Sequence, residues 1–268
     1  MSSRCHKAFS TVLPLLAAAL LGWAAAAQAR ELRVCADPDN LPYSHRDGSG
    51  FENRIAQLVA RELHADLAYF WLPQARGFVR KTMGAGECDL FIGVPAGFER
   101  VLTTRPYYRS GYVAVTRTST APFAFDGAWL RSRRVGVQLV GNDLAATPPG
   151  HALARAGATD NVMGFTVYGT GPAAQRMVAA VAGGQIDAAL VWGPQAGYFA
   201  ARAAVPLSVT PVAAPPGLPV PFEFAIAMGV RKGDGALRDE LDAAIGRQRS
   251  AIDAILAEYA VPRTGAQP

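Results

Sequence analysis

The stretch Leu32-Arg33-Val34-Cys35-Ala36-Asp37-Pro38-Asp39-Asn40-Leu41-Pro42-Tyr43 decides the fold. Leu32–Cys35 reads as a short strand, and the Pro/Asp/Asn-rich run Asp37–Pro42 ends it with turn chemistry. After Gly50, residues Phe51, Ile55, Leu58, Val59 and Leu63 fall at helical spacing, with Ser49 as the expected N-cap. Strand, loop and helix in that order open an α/β unit.

The rest of the chain repeats the plan. Leu67–Leu72 reads as a strand, and Phe78, Val79 and Thr82 begin a short helix that stops at Gly84 and Gly86. Asp89–Val94 is a continuous apolar run before Pro95 and Gly97, the pattern of a strand buried on both faces. Gly111–Thr116 reads as a further strand. Arg134–Leu139 is the next, followed by a loop over Gly141–Gly150 and a helix over His151–Ala156. Phe165–Tyr168 reads as a strand. Pro172 opens a helix carrying Met177, Val178 and Val181, which Gly183-Gly184 ends, and Ile186–Trp192 reads as a strand. Pro206–Pro221 carries six prolines and predicts an extended return segment before a strand over Phe222–Val230. One C-terminal helix is expected from Leu237 to Tyr259. Leu241, Ile245, Ile252, Ile255, Leu256 and Tyr259 form its apolar stripe, and Arg238, Asp239, Asp242, Arg247 and Arg249 its wet face.

Such alternation predicts an α/β protein with mostly parallel sheets flanked by helices. Two runs of it, with a late return, predict two lobes joined by crossing strands. Residues 30–116 with 222–268 form the first lobe and 117–221 the second. Ligands of open α/β sheets sit beyond the carboxyl ends of strands. The loops to inspect are therefore Asp37–His45, Val94–Glu99, Leu139–Asp143 and Trp192–Gln195.

Residues 1–29 read as a cleavable secretory leader. Arg4 and Lys7 give a basic start, an apolar run spans Val12–Ala27, and Ala27-Gln28-Ala29 is a small-x-small cleavage pattern. The run is short of the roughly 20 residues that cross a bilayer, and Pro14 breaks it. Cleavage would leave 239 residues, Arg30–Pro268, and without Arg4 and Lys7 the net charge of +5 falls to +3. No block of like charge indicates a nucleic-acid surface, whereas a mildly basic surface favours an acidic protein partner. Of the three cysteines, Cys5 leaves with the leader. Cys35 and Cys88 are then an even pair in an oxidising compartment, read as a disulfide or as two buried thiols.

The layout resembles the type II periplasmic solute-binding proteins. The resemblance rests on the loop Asp37–Tyr43, the helix start Gly50-Phe51-Glu52, the strand Cys88–Gly93, Pro106-Tyr107-Tyr108, and Met228–Asp234, in that order. A narrower set of words is similar to the quinoprotein-dehydrogenase-associated branch, which includes accessory proteins encoded beside methanol dehydrogenases. These words are Cys35–Pro42, Arg76-Gly77-Phe78, Gly93–Phe98, Leu102–Ser110 and Val191-Trp192-Gly193-Pro194. That resemblance implies a periplasmic, non-catalytic helper of a PQQ-dependent (pyrroloquinoline-quinone) alcohol dehydrogenase, binding the enzyme or a segment of it during maturation or activation. It implies no cofactor, quinone or metal held by this chain. The other reading from the same fold is a solute receptor for an ABC importer; an enzyme of cyclohydrolase type is a third.

Amino-acid transport relatives hold the α-carboxylate with an arginine after the third strand and the α-ammonium with an acid ending the last strand of the second lobe. Arg100 stands near the first place, on a shorter spacing to Pro106 than usual. Trp192-Gly193 fills the second. A buried ammonium without its anion is costly, so ordinary amino acids are expected to bind weakly or not at all unless an acid such as Asp143 substitutes. No G-x-S-x-G elbow or calcium loop appears, and His45, His64 and His151 show no ligand spacing. Gly169-Thr170-Gly171-Pro172 reads as a turn into a helix, with anion binding as the alternative. The candidate cleft residues are Asn40, Tyr43, Arg76, Phe78, Pro95, Phe98, Arg105, Tyr107, Gln138, Asn142, Asp143 and Trp192. Aromatic and arginine side chains dominate protein-interface hot spots, so this set suits a peptide segment better than a small polar solute.

Overall fold

The computed structural model describes residues 30–140, 145–167 and 170–265. The expected leader, Asn142, Asp143, Tyr168 and Gly169 lie outside the described residues.

The first lobe is built from β1 (Arg30–Ala36), α1 (Phe51–Glu62), β2 (Ala65–Trp71), α2 (Phe78–Lys81), β3 (Leu90–Pro95) and β4 (Tyr108–Arg117). The second adds α3 (Gly127–Ser132), β5 (Val135–Val140), α4 (Pro148–Arg155), β6 (Val162–Thr166), α5 (Ala173–Ala182), β7 (Ala188–Trp192), α6 (Gly193–Ala200) and β8 (Leu207–Pro211). The chain returns through β9 (Glu223–Val230) and ends in α7 (Gly235–Arg247) and α8 (Arg249–Glu258). The sheet order is β6-β5-β7-β4-β9-β3-β1-β2, with β8 beside β4.

Both halves are parallel away from the join. β1 runs parallel to β2 and β3, and β5 runs parallel to β6 and β7. Apart from two short two-residue pairings, Asp39–Asn40 with Ser44–His45 and Leu139–Val140 with Ala145–Ala146, the antiparallel pairs belong to the crossing strands β4 and β9. Along β4, Tyr108–Gly111 pairs with β9, and Tyr112 onward pairs with β7. On this pairing we propose that the lobes divide at Gly111–Tyr112 rather than at the expected 116–117.

Each half buries both faces of its sheet, as strands flanked by helices must. On one face of the first lobe, Leu32, Val34, Leu90, Ile92, Met228 and Val230 pack beneath Phe51, Ile55 and Val59 of α1 and Leu241 and Ile245 of α7. On the other face lie Phe91, Val94, Met83 and Val101 with Cys35 and Cys88, which form a disulfide with Cα atoms 5.5 Å apart. In the second lobe the period of two is explicit. Val113, Val115, Ala189 and Val191 face α5, whereas Ala114, Ala188 and Leu190 face Trp129 and Leu153.

The structure departs from expectation in several places. The C-terminal helix is two helices, parted at Gln248, whose side-chain amide and the neighbouring Arg247 guanidinium both turn to Glu62 at the end of α1. Gly50, with no side-chain cap, takes the N-cap place of α1 instead of Ser49. Residues 162–166 form the strand expected at 165–168, because Val135–Leu139 pairs with them in parallel register. The proline-rich return contains a five-residue strand, β8, whose edge position beside β4 tolerates Pro211.

Candidate functional site

The carboxyl ends of β1, β3, β5 and β7 converge on a cavity of about 680 Å³ between the lobes. From the first lobe it is lined by Asp37, Asn40, Tyr43, Glu52, Ile92, Gly93 and Tyr108, among others. The second lobe adds Gln138, Pro172, Trp192 and Gln195, and the crossing strands add Tyr112 and Phe224.

The loop after β1 is fixed by its own polar atoms. The Asp37 carboxylate accepts from the backbone amides of Asp39 (2.9 Å) and Gln74 (2.5 Å), and the Asn40 side-chain amide donates to Gln74 Oε1 (3.1 Å). Asn53 Oδ1, one turn into α1, accepts from the amides of His45 and Gly50 and so ties loop to helix. That tie places Tyr43 over the cavity, where its phenol lies beside the indole of Trp192. Burial raises the Tyr43 phenol well above its ordinary value, against the lowering effect of the Trp192 contact. Trp192 packs edge-on to Tyr112 (5.5 Å) and Phe224 (5.7 Å), so the wall is a continuous aromatic surface.

The floor of the cavity is a carboxyl group. Glu52 stands in the first turn of α1 with its side chain against Gly93 of β3. A Cβ at Gly93 would lie 2.1 Å from Glu52 Oε1, so only glycine leaves room there. No ion pair or hydrogen bond reaches this carboxyl from the described residues. Burial alone pushes it up to about 8, which keeps it largely protonated at neutral pH. The backbone amides of the helix N-terminus favour the anion, but desolvation is the larger effect.

Beside the cavity, and sharing Gln74, Phe78, Phe91, Gly93, Val94 and Pro95 with it, is a groove of about 720 Å³ on the first lobe. Its floor is Phe78, Phe91, Val94 and Phe98, and its rim carries Arg76, Arg80, Lys81 and Arg100. All four cations are exposed, and no ion pair reaches them from the described residues.

The sequence-predicted residues divide between these places. Asn40, Tyr43, Gln138 and Trp192 line the cavity, Arg76 and Phe98 line the groove, and Phe78 and Pro95 line both. Two expectations are corrected. Tyr107 is wholly buried in the core of the first lobe, its hydroxyl donating to the Ile92 carbonyl (3.1 Å); its neighbour Tyr108, buried in the same core, adjoins the cavity instead. Arg105 sits away from both places beside α7, with its backbone amide on the Asp242 carboxylate (2.6 Å) and its largely exposed guanidinium 3.8 Å from the same carboxylate. Arg100, near the carboxylate-binding place of transport relatives, lies in the groove and not in the cavity. Gly193 packs so closely on the crossing strand that a Cβ would lie 2.6 Å from Ser110 Oγ and 2.7 Å from the Gly111 carbonyl oxygen, so no acidic side chain fits there. Among the described residues, no group of three or more His, Cys, Asp or Glu side chains is placed to hold a metal ion.

Sequence reasoning missed Glu52 as a site residue. The signal was available: Glu52, Ile55, Ala56 and Val59 share one helical stripe, and an acid on an apolar stripe is an acid taken into the interior.

Comparison with known proteins agrees with this geometry. The model of the bacterial extracellular solute-binding proteins, family 3, matches residues 32–261. The chain is 37% identical over 254 residues to protein MoxJ of Methylorubrum extorquens, covering 89% of this chain and 83% of that protein. The crystal structure of the periplasmic binding protein XoxJ from Methylobacterium extorquens AM1 superposes with a TM-score of 0.72 at 36% identity, over 88% of this chain and all of that one. MxaJ from Methlophaga aminisulfidivorans MPT gives a TM-score of 0.76 at 25% identity, over 87% of this chain and 100% of that one.

Proposed function

This chain belongs to the bacterial extracellular solute-binding proteins of family 3, and from that premise we propose a periplasmic accessory role beside a PQQ-dependent alcohol dehydrogenase, methanol being the alcohol. The chain is exported by its leader, binds without catalysing, and captures the dehydrogenase or a protruding segment of it. The relatives named MoxJ, XoxJ and MxaJ and the quinoprotein-dehydrogenase words in the sequence support the choice of partner.

The observation that carries the docking mode is the groove. Four cations without acidic partners surround an apolar floor of three phenylalanines and a valine. Such a surface fits an acidic segment with apolar side chains: complementary charge steers the encounter, and aromatic burial holds the complex. Calorimetry of the purified chain with the purified dehydrogenase tests the reading. The triple variant R76E/R80E/R100E should weaken binding at least tenfold, and the wild-type complex should weaken as salt is raised. No heat of binding with either the mature or the cofactor-free dehydrogenase defeats the proposal.

The interlobe cavity favours a second reading, a receptor of an importer for a small organic solute. Its volume of about 680 Å³ falls in the range of small-molecule sites. A ligand that raises the melting temperature of the free protein in a solute screen would select this reading.

A further inference from the structure

Charge is segregated between the interlobe cavity and the adjoining groove. The interlobe cavity is lined by three carboxylates, Asp37, Asp39 and Glu52, and among the described residues no Lys, Arg or His lines it. This occurs in a chain whose net charge is +5. Two of the three acids have other work. Asp37 accepts from two backbone amides, and Asp39 is mostly in solvent at the mouth, within 4.0 Å of His45. Glu52 alone is recessed at the floor without a partner. The aromatic side chains Tyr43, Tyr108, Tyr112, Trp192 and Phe224 line the same cavity.

We propose that the cavity binds an alkylammonium group, held by the Glu52 carboxylate and by the aromatic wall of Tyr43, Tyr112 and Trp192. A cation over tyrosine and indole faces gains from the ring quadrupoles, most where water is excluded. It also supplies the charge that a buried carboxylate lacks. The same lining turns away α-amino acids, whose carboxylate finds no cation among the described residues and meets acids instead. The site therefore selects a bare ammonium, whether from a free alkylamine or from a lysine side chain of a bound segment. It does not depend on the docking reading, because the free amine alone suffices.

Binding must carry a pH signature. The titratable groups facing Glu52 are the phenols of Tyr43, Tyr69, Tyr107 and Tyr108, all raised by burial, so they remain neutral while the carboxyl ionises. With the carboxyl ionising near 8, its anionic fraction rises about tenfold from about pH 7 to about pH 9, and apparent affinity for a cation rises with it. Alkylamines keep their proton over most of that range.

The test is calorimetry and tryptophan fluorescence of the full chain, cleaved of its leader, with butylammonium, N-acetyl-lysine methylamide, 1-butanol and norleucine. Trp192 is the tryptophan that lines the cavity, so its emission reports occupancy. Saturable binding of either amine, about tenfold tighter at the higher pH, with butanol and norleucine at least tenfold weaker, supports the site. A tighter lysine derivative assigns the ammonium to a protein segment, and a tighter butylammonium assigns it to a free amine; both support the site. E52Q, checked as folded by its melt in mild acid, should bind the amines at least tenfold more weakly with no pH dependence. Equal affinity for butanol and butylammonium, wild-type binding by E52Q, or no saturation by either amine at millimolar concentration overturns the proposal.

Discussion

Replacing Glu52 by glutamine should stabilise the folded protein in alkali and leave it unchanged in acid. The side chain ionises near 4.5 in the unfolded chain and at about 8 in the folded one, because burial penalises the anion. Below pH 4.5 both states hold the proton and the group has no differential effect. Between the two values the unfolded chain has released a proton that the folded chain keeps, so stability falls as pH rises. Above about 8 both states are ionised and the loss is complete. The interval corresponds to about 5 kcal/mol at 1.36 kcal/mol per pH unit, and water entering the cavity reduces it, giving an expected 2 to 5 kcal/mol, roughly. Glutamine keeps the shape and the neutral charge of the protonated acid. The stability of E52Q relative to wild type should therefore climb from near zero in mild acid to about 2 to 5 kcal/mol above pH 8. Urea titrations of both proteins across that range measure it, and taking the difference cancels His45, His64 and His151, which both proteins share. A difference that stays flat with pH, or an E52Q protein that is weaker in alkali, would refute the reasoning, since the folded state would then accommodate the anion.

Three further outcomes follow from other parts of the fold. Replacing Cys35 and Cys88 together by alanine releases a cross-link between residues 53 apart, with an expected loss of about 4 kcal/mol and a melting temperature lower by roughly 10 °C in scanning calorimetry. Burial pushes the Asp89 carboxyl up, but the guanidinium groups of Arg33 (2.9 and 3.0 Å) and Arg231 (2.6 Å) outweigh it and hold it below its ordinary value. Asp89→Asn should then cost about 1 to 3 kcal/mol in urea unfolding at neutral pH, and the difference should vanish as pH falls through the lowered folded value. Gly193→Asp should destabilise by about 2 kcal/mol or more, since its Cβ meets Ser110 Oγ and the Gly111 carbonyl on the crossing strand; it should create no glycine or glutamate binding in calorimetry.

Much of the fold was legible because its cause is local. Strands buried on both faces, such as Leu90–Pro95 and Ala188–Trp192, announce themselves as apolar runs closed by Pro or Gly, and α1 and α5 show their stripes. What failed was whatever depends on a distant partner. At the break, Gln248 is held by Glu62, far away in the chain, and locally only Gly246 hints at a stop. Helix α6 begins at Gly193-Pro194, which reads locally as the end of a strand rather than the start of a helix. Tyr107 and Tyr108 are adjacent tyrosines buried in the same core, and nothing local in the sequence tells that Tyr108 also adjoins the cavity while Tyr107 does not.

The site was half legible for a related reason. The aromatic loops could be placed from strand order alone, and Tyr43 and Trp192 do meet between the lobes. The pairing of charges could not. Read as a total, +5 predicts a mildly basic surface. Folded, the cations at Arg76, Arg80, Lys81 and Arg100 collect on the groove, while Glu52, Asp37 and Asp39 line the adjoining cavity. On the two proposals above, a segment lying across Pro95 would satisfy both places by setting an acidic residue on the groove and a lysine in the cavity, so that alternation of charge rather than net charge would decide the fit.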